Sequence, residues 1–337
     1  MARINHAKDI SGMATSHTDH LTFNDEAMAI LRDVASTYVG ESVTQRTVQV
    51  ARCDGTHGVW IVAFGDVKLV YKQFITHDAQ AFSHASTFQL QRILFQLGLA
   101  AEPLYFDAHK AVWIEAYLPA QALPVVKGEE GANSLSHHSA NHNSTIHNST
   151  IQNGSIQNIT IDKVQNETIH ILTQALVNLH QVRAVDVQSN GEDGEGDGDN
   201  IRWLDPFKQA DYLLAQLTPA QAKRFTDALS MLRTDIQSTT NQDEPWVLCH
   251  NDLHAAHVRT DKRCIDWEYA GIGPRYFDVA MCITINQISA SAHHAFIEAY
   301  AQLTDTDLAY VQQQVASYLR LCTIINQMWE QVLHHSA

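Results

Sequence analysis

Between Leu248 and Gly271 the chain reads LCHNDLHAAHVRTDKRCIDWEYAG, with His250, Asp252, His254, His257 and Asp266 close together. Three kinds of arrangement suit those residue types. His250, Asp252, His254 and His257 are acceptable zinc ligands, as in a metal-dependent hydrolase. Their spacing matches no common zinc pattern, and there is no H-E-x-x-H with its glutamate base. Packed loop histidines are a second reading. It accounts poorly for two apolar runs, WVLC and CI, that end directly in His250-Asn251-Asp252 and in Asp266. A carboxylate buried at a strand end is costly unless it is paired or holds a cation. Phosphoryl transfer is the third. It needs an aspartate to accept the proton of the attacking hydroxyl, then a metal-binding acid on a following short strand, with one more ligand between them. Asp252, position 257 and Asp266 fall in that order.

The same stretch resembles the H-x-D-x-x-x-x-N loop and I-D-[FW]-E-Y-A-G motif of the aminoglycoside phosphotransferase and choline kinase family. IDWEYAGIGPRYFDVA (265–280) is similar in wording to the choline and thiamine kinase branch. The resemblance implies an α+β, protein-kinase-like fold of two lobes. A five-stranded antiparallel sheet with one helix would form the N-lobe, and helices most of the C-lobe. It further implies ATP as phosphoryl donor, Mg²⁺ (Mn²⁺ as an alternative) as the metal, and a small alcohol as acceptor. By the same resemblance Asp252 is the catalytic base and His250 orients its loop. Asp266 and His257 hold the metal, and Asp278 supports the loop from behind. Lys72, in LVYKQF, takes the place of the third-strand lysine on the nucleotide phosphates, with Lys68 as its rival on the same strand face. Gly55 and Gly58, in DGTHG, stand where a glycine-rich turn covers phosphates. WIEAYLP (113–119) resembles the adenine-binding hinge, with backbone contacts around Glu115 and Tyr117.

Two positions depart from the family pattern. His257 replaces the asparagine that supplies a metal oxygen; Mg²⁺ prefers oxygen ligands, whereas Mn²⁺ tolerates nitrogen. The helix expected at 77–97 should carry a glutamate to pair with the lysine, yet its only acid is Asp78, at its start. Gln89 and His84 are the hydrogen-bonding substitutes. A nucleotide-binding relative without turnover therefore stays open beside the active kinase.

The elements that must position these residues are legible in part. TVQVAR (47–52) and VWIVAF (59–64) read as strands, and Gly65-Asp66 makes a two-residue hairpin turn into VKLVYKQF (67–74). A helical stretch follows, stopped by Gly98, and then EPLYFD and AVWIEAYL pair as strands. Ile169, Leu172, Leu176 and Leu179 mark one face of a further helix. Residues 203–237 and 287–334 are mostly helical, with breaks at Pro219 and around 302–306. The domain reading is a disordered arm over 1–25, an N-lobe over 26–118 and a C-lobe over 119–337. Low-complexity inserts interrupt the C-lobe at 127–163 and 186–200.

Composition bounds the partners. The chain of 337 residues has a formal charge of −15, five units of which lie in EDGEGDGD (192–199). An acidic surface disfavours nucleic acid and can draw in a cationic small molecule such as choline or thiamine. Trp267, Glu268, Tyr276 and Trp329 are candidates to receive it, because an aromatic face attracts a cation. No run of about 18 apolar residues points to a membrane span. Five scattered cysteines without a C-x-x-C pair favour reduced thiols and a cytoplasmic location.

Overall fold

The computed structural model describes residues 23–53, 58–74, 84–119, 154–184 and 202–335. Gly55, Asp78, most of the N-terminal arm, the insert over 186–200 and residues 120–153 lie outside them.

The chain is α+β. Strands β1 (Val48–Cys53), β2 (Gly58–Phe64), β3 (Val67–Gln73), β4 (Pro103–Asp107) and β5 (Val112–Ala116) form one antiparallel sheet in the order β1-β2-β3-β5-β4. Gly65, at φ 62°, supplies the positive φ with which the two-residue β2–β3 turn follows the sheet twist. Successive side chains alternate between the faces. Trp60, Val62, Leu69, Tyr71 and Ile114 cover one face and pack on Leu31, Val34 and Ala35 of α1 (Asp25–Val39). Asn24 caps α1 by accepting the Ala27 N–H at 2.9 Å, and Gly40 ends it in the left-handed region. The other face carries Lys72, Trp113 and Glu115. Trp113 packs there with Phe74, Phe88 and Phe106, and Phe88 comes from α2 (His84–Gln96).

The second half is mainly helical. Helix α3 (Gly154–His180) buries Ile169, Leu172, Leu176 and Leu179, and it begins inside the polar stretch 127–163. Helices α4 (Pro206–Leu214), α5 (Pro219–Thr239), α6 (Arg275–Ile285), α7 (Ala290–Thr304) and α8 (Leu308–His335) complete one core around α6. Every residue of α6 from Tyr276 to Ile283 is buried. A short antiparallel pair, β6 (Trp246–Cys249) with β7 (Gly271–Pro274), lies against this core. Its register joins Cys249 to Gly271, so residues 250–270 form one loop closed at its base. Gly271 is required there: a Cβ would lie 2.6 Å from the Arg202 carbonyl oxygen and 2.7 Å from Leu204.

Candidate active site

The loop closed by β6 and β7 folds back on itself. The Ile265 N–H donates to the His257 carbonyl at 3.0 Å, and the Arg259 N–H donates to the Arg263 carbonyl at 2.9 Å. This inner hairpin returns the chain so that positions 257 and 266 stand side by side. Asp266 follows with φ 68° and Asn251 has φ 59°, left-handed conformations that Asp and Asn tolerate better than most residues. The Cys264 N–H donates to the Leu99 carbonyl at 2.8 Å, which ties the loop to the segment following α2.

Three potential metal-ligand atoms converge. One atom each from Asp252, His257 and Asp266 lies within 4.8 Å of the others. His257 Nδ1 is 2.8 Å from the Asp252 carbonyl oxygen. That oxygen only accepts, so Nδ1 carries a proton, and in the neutral ring Nε2 has the lone pair. Nε2 lies 3.6 Å from Asp266 Oδ2. An imidazole with its free nitrogen beside a carboxylate is a chemically sound donor set for a divalent cation, so the residues fit the metal the family pattern calls for.

Asp252 is 9 % exposed. Burial pushes its carboxyl up to about 6, against the pull of nearby His257. It remains mostly ionised at neutral pH and is a better base than a solvated aspartate. Burial also brings His250 down to about 4, with His257 adding to the effect. His250 is thus a neutral ring; its Nε2 donates to the Ile265 carbonyl at 3.1 Å, and its ring lies 4.8 Å from that of Trp267.

Behind the loop stands Asp278, fully buried on α6. Its Oδ2 accepts the His250 N–H at 2.9 Å and its Oδ1 the Asn251 N–H at 2.7 Å. Burial opposes the charge, but the hydrogen bond from His180 and the His250 N–H outweigh it and hold the carboxyl below its ordinary value. His180 lies 3.2 Å from Oδ2 and is itself fixed by the Tyr300 hydroxyl at 2.7 Å. Asn286, at the end of α6, adds a second clamp: it donates to the Leu253 carbonyl and accepts the Ala255 N–H. Neither His180 nor Asn286 is recognisable from spacing, because both act across the helical core.

Lys72 reaches this loop from β3. Its Nζ lies 3.6 Å from Asp266 Oδ1 and 3.5 Å from Glu115 Oε1. Burial disfavours the ammonium, but Glu115, Asp266 and Glu268 more than compensate and raise its pKa. Lys68, the rival, is exposed and lies over the Tyr117 ring, 5.5 Å from its centre. The backbone N–H of Tyr117 donates to the Lys68 carbonyl, and that of Ala116 to the Glu102 carbonyl. The side chain of Glu115 points to Lys72. It is buried and accepts from Gln91 Nε2 at 2.8 Å and Trp113 Nε1 at 3.1 Å. Gly58 is buried at the start of β2.

A cleft opens between the sheet and the loop, lined in part by Lys72, Gln91, Trp113, Asp266, Trp267 and Glu268. Trp267 is 2 % exposed and donates to the Cys264 carbonyl. Tyr276 is buried in the helical core beside Tyr300 and Tyr310, away from this cleft. Trp329 is half-buried and packs against the same core. Among the described residues, no helix is long and apolar enough to cross a membrane.

The stretch 158–312 matches the family described as "Phosphotransferase enzyme family". Residues 158–312 are a phosphotransferase-family domain. That domain contains Asp252, His257, Asp266 and Asp278, while Lys72 and Glu115 precede it. Among solved structures, the chain is similar to choline kinase LicA from Streptococcus pneumoniae at 14% identity, over 93% of this chain and 92% of that one, with a TM-score of 0.60. An ethanolamine kinase from Plasmodium vivax is 15% identical over 94% of this chain and 85% of its own, with a TM-score of 0.61. A choline/ethanolamine kinase family protein from Mesorhizobium loti is 15% identical over 90% and 84%, with a TM-score of 0.58. At these identities the likeness is one of fold: the phosphotransferase-family domain and the sheet before it are arranged as in these kinases. No curated protein sequence matches the chain.

Proposed function

We propose that this protein is an ATP-dependent small-molecule kinase that phosphorylates the hydroxyl of a cationic acceptor of the choline or thiamine kind. The observation that carries this reading is the convergence of Asp252, His257 and Asp266 within 4.8 Å, with the Lys72 ammonium 3.6 Å from Asp266. A packed loop has no use for two carboxylates, an imidazole and a lysine gathered in one place. Transfer of a phosphoryl group uses all four.

Asp252 accepts the proton of the acceptor hydroxyl as its oxygen attacks the terminal phosphorus of ATP, and ADP departs. Its buried setting keeps the carboxylate basic enough for that role. Lys72 binds nucleotide phosphate oxygens from the sheet side. Asp266 and His257 would hold a divalent cation, which when bound supplies neutralisation of the charge on those phosphates. Asp278 acts through the backbone: by accepting the His250 and Asn251 N–H groups it fixes the path of the loop just before Asp252. The choice of ATP draws support from the LicA structure solved in complex with AMP. The choice of a cationic acceptor draws on the kinases of like fold, the acidic chain, and Glu268 on the cleft wall. A cytoplasmic location and Mg²⁺ or Mn²⁺ as the metal belong to the same proposal.

The test is ATP consumption by the purified protein against a panel of small alcohols (choline, ethanolamine, thiamine, aminoglycosides), run with Mg²⁺ and with Mn²⁺. Consumption stimulated by one acceptor is the expected result. Thermal stabilisation by ATP with no stimulated consumption would replace the kinase by a nucleotide-binding protein, and tightly bound zinc would favour the hydrolase.

A further inference from the structure

A kinase lysine needs an acid that holds it towards the nucleotide phosphates, and the usual source is the helix packed on the sheet. Along α2, His84–Gln96, there is no acid at all. The structure offers a different source. We propose that Glu115, on the neighbouring strand β5, is the residue that positions Lys72, and that Gln91 and Trp113 orient its carboxylate for the task. This rests on the kinase reading above and adds a role to a residue which that reading did not use.

Three observations support the assignment. First, the carboxylate is fully specified. Oε2 receives two donors, Gln91 Nε2 at 2.8 Å and Trp113 Nε1 at 3.1 Å, which leaves Oε1 facing Lys72 Nζ at 3.5 Å. Secondly, the orientation of Gln91 is not arbitrary. Its Nε2 also donates to the Ala101 carbonyl at 3.0 Å, and a carbonyl only accepts, so the amide nitrogen must point this way. Thirdly, Glu115 is 3 % exposed, where a carboxylate without a counter-charge would be strongly disfavoured.

The register explains why a strand can do the work of the helix. Lys72 faces Trp113 across the β3–β5 ladder, and Glu115 is two residues further along β5, on the same face. The pair is therefore built into one sheet, and α2 acts on it through Gln91. Gln91 occupies the α2 position from which an acid would also reach this cleft, and it lines the cleft together with Lys72. Here the strand carries the acid and the helix an amide, the reverse of an arrangement with the acid on the helix. On the other side of Lys72 stands Asp266. Without Glu115 the ammonium is left to that carboxylate, which draws it away from the phosphates and towards the metal-facing group.

The exchange can be reversed in the laboratory. Affinities for ATP and for adenosine are measured by calorimetry on wild type, Glu115→Gln and the transposed pair Gln91→Glu/Glu115→Gln. Loss of an oriented charge-assisted contact should weaken ATP by about 10-fold in Glu115→Gln and leave adenosine within about 2-fold, with recovery of ATP to about 3-fold of wild type in the transposed pair. ATP affinity unchanged in Glu115→Gln overturns the proposal. So does equal weakening of ATP and adenosine, the mark of a packing role, and so does a transposed pair that melts like wild type yet binds ATP no better than the single variant. Should the transposed pair melt well below wild type, Glu115→Asp takes its place and must bind ATP more tightly than Glu115→Gln. Wild-type protein without measurable ATP affinity would remove the kinase reading itself, and this one with it.

Discussion

His257 Nε2 lies 3.6 Å from Asp266 Oδ2 because the Ile265 N–H bonds the His257 carbonyl and brings two positions nine residues apart in sequence face to face. The bond from His257 Nδ1 to the Asp252 carbonyl then leaves Nε2 free to coordinate. A nitrogen in a place where the family pattern has an amide oxygen favours Mn²⁺ over Mg²⁺. Turnover with Mn²⁺ should therefore at least equal that with Mg²⁺, and His257→Asn should shift the preference towards Mg²⁺. His257→Ala should weaken the activating metal by about 10-fold or more, the scale at which even outer-shell partners act. Metal titrations of initial rate check all three; a wild type that clearly prefers Mg²⁺ removes His257 from the metal site.

Part of this arrangement is legible in the sequence. Alternation and the Gly65-Asp66 turn locate β2 and β3, and the His250–Asp266 stretch reads as one chemical unit because it lies in one closed loop with short internal spacings. The rest depends on which elements become neighbours. The Glu115 side chain could be assigned only once β3 and β5 were known to pair with Lys72 opposite Trp113. Gln91, rather than Gln89 or His84, meets Glu115 because of the rotation of α2 on the sheet, and a sequence does not display that angle. Helix α1 leaves little trace in the sequence because its buried residues, Ala27, Leu31, Val34 and Ala35, are few and partly small. The start of α3 at Gly154 is hidden by a polar repeat whose composition resembles a loop.

The support from Asp278 predicts a pH dependence of stability. Its folded carboxyl lies below its ordinary value, so it binds protons more weakly folded than unfolded. Its stabilisation is complete above the unfolded value of about 3.9 and is lost as pH falls through the lower folded value. Asp278→Asn keeps an acceptor for only one of the His250 and Asn251 N–H groups and turns a donor towards the other, and should cost about 3 kcal/mol at pH 5. The gap from wild type should narrow by pH 3, because the carboxyl of the unfolded wild-type chain takes up its proton before that of the folded one. Urea denaturation of both proteins at the two pH values checks this, and a gap that widens on acidification refutes it.

Close packing at the base of the loop gives a prediction without charges. The Ile272 N–H donates to the Arg202 carbonyl at 2.8 Å and the Leu204 N–H to the Ile272 carbonyl at 2.7 Å, so the chain over Gly271 is pinned by backbone bonds. The methyl of Gly271→Ala would meet that backbone oxygen, which cannot rotate aside. Overpacking of this kind should lower stability by about 2 kcal/mol. The measurement is a denaturant midpoint at unchanged slope; a midpoint equal to wild type would show that the 202–204 segment yields freely.

The role of Asp252 allows a sharper separation of binding from chemistry. Its carboxylate is buried at the head of the loop, held by the His250 and Asn251 contacts to Asp278, and lies 3.8 Å from His257 Nδ1. Asp252→Asn keeps the shape of the side chain and removes its basicity. If the residue accepts the acceptor's proton, kcat should fall by about 10²- to 10⁴-fold, the usual worth of a positioned general base. Nucleotide affinity should stay near wild type, because Lys72 and Glu115 are untouched. Equal losses in turnover and ATP affinity would instead place Asp252 among the groups that hold the nucleotide and its metal. Turnover that survives the substitution would leave the hydroxyl to lose its proton without help from this chain, and would take the catalytic base away from the loop altogether.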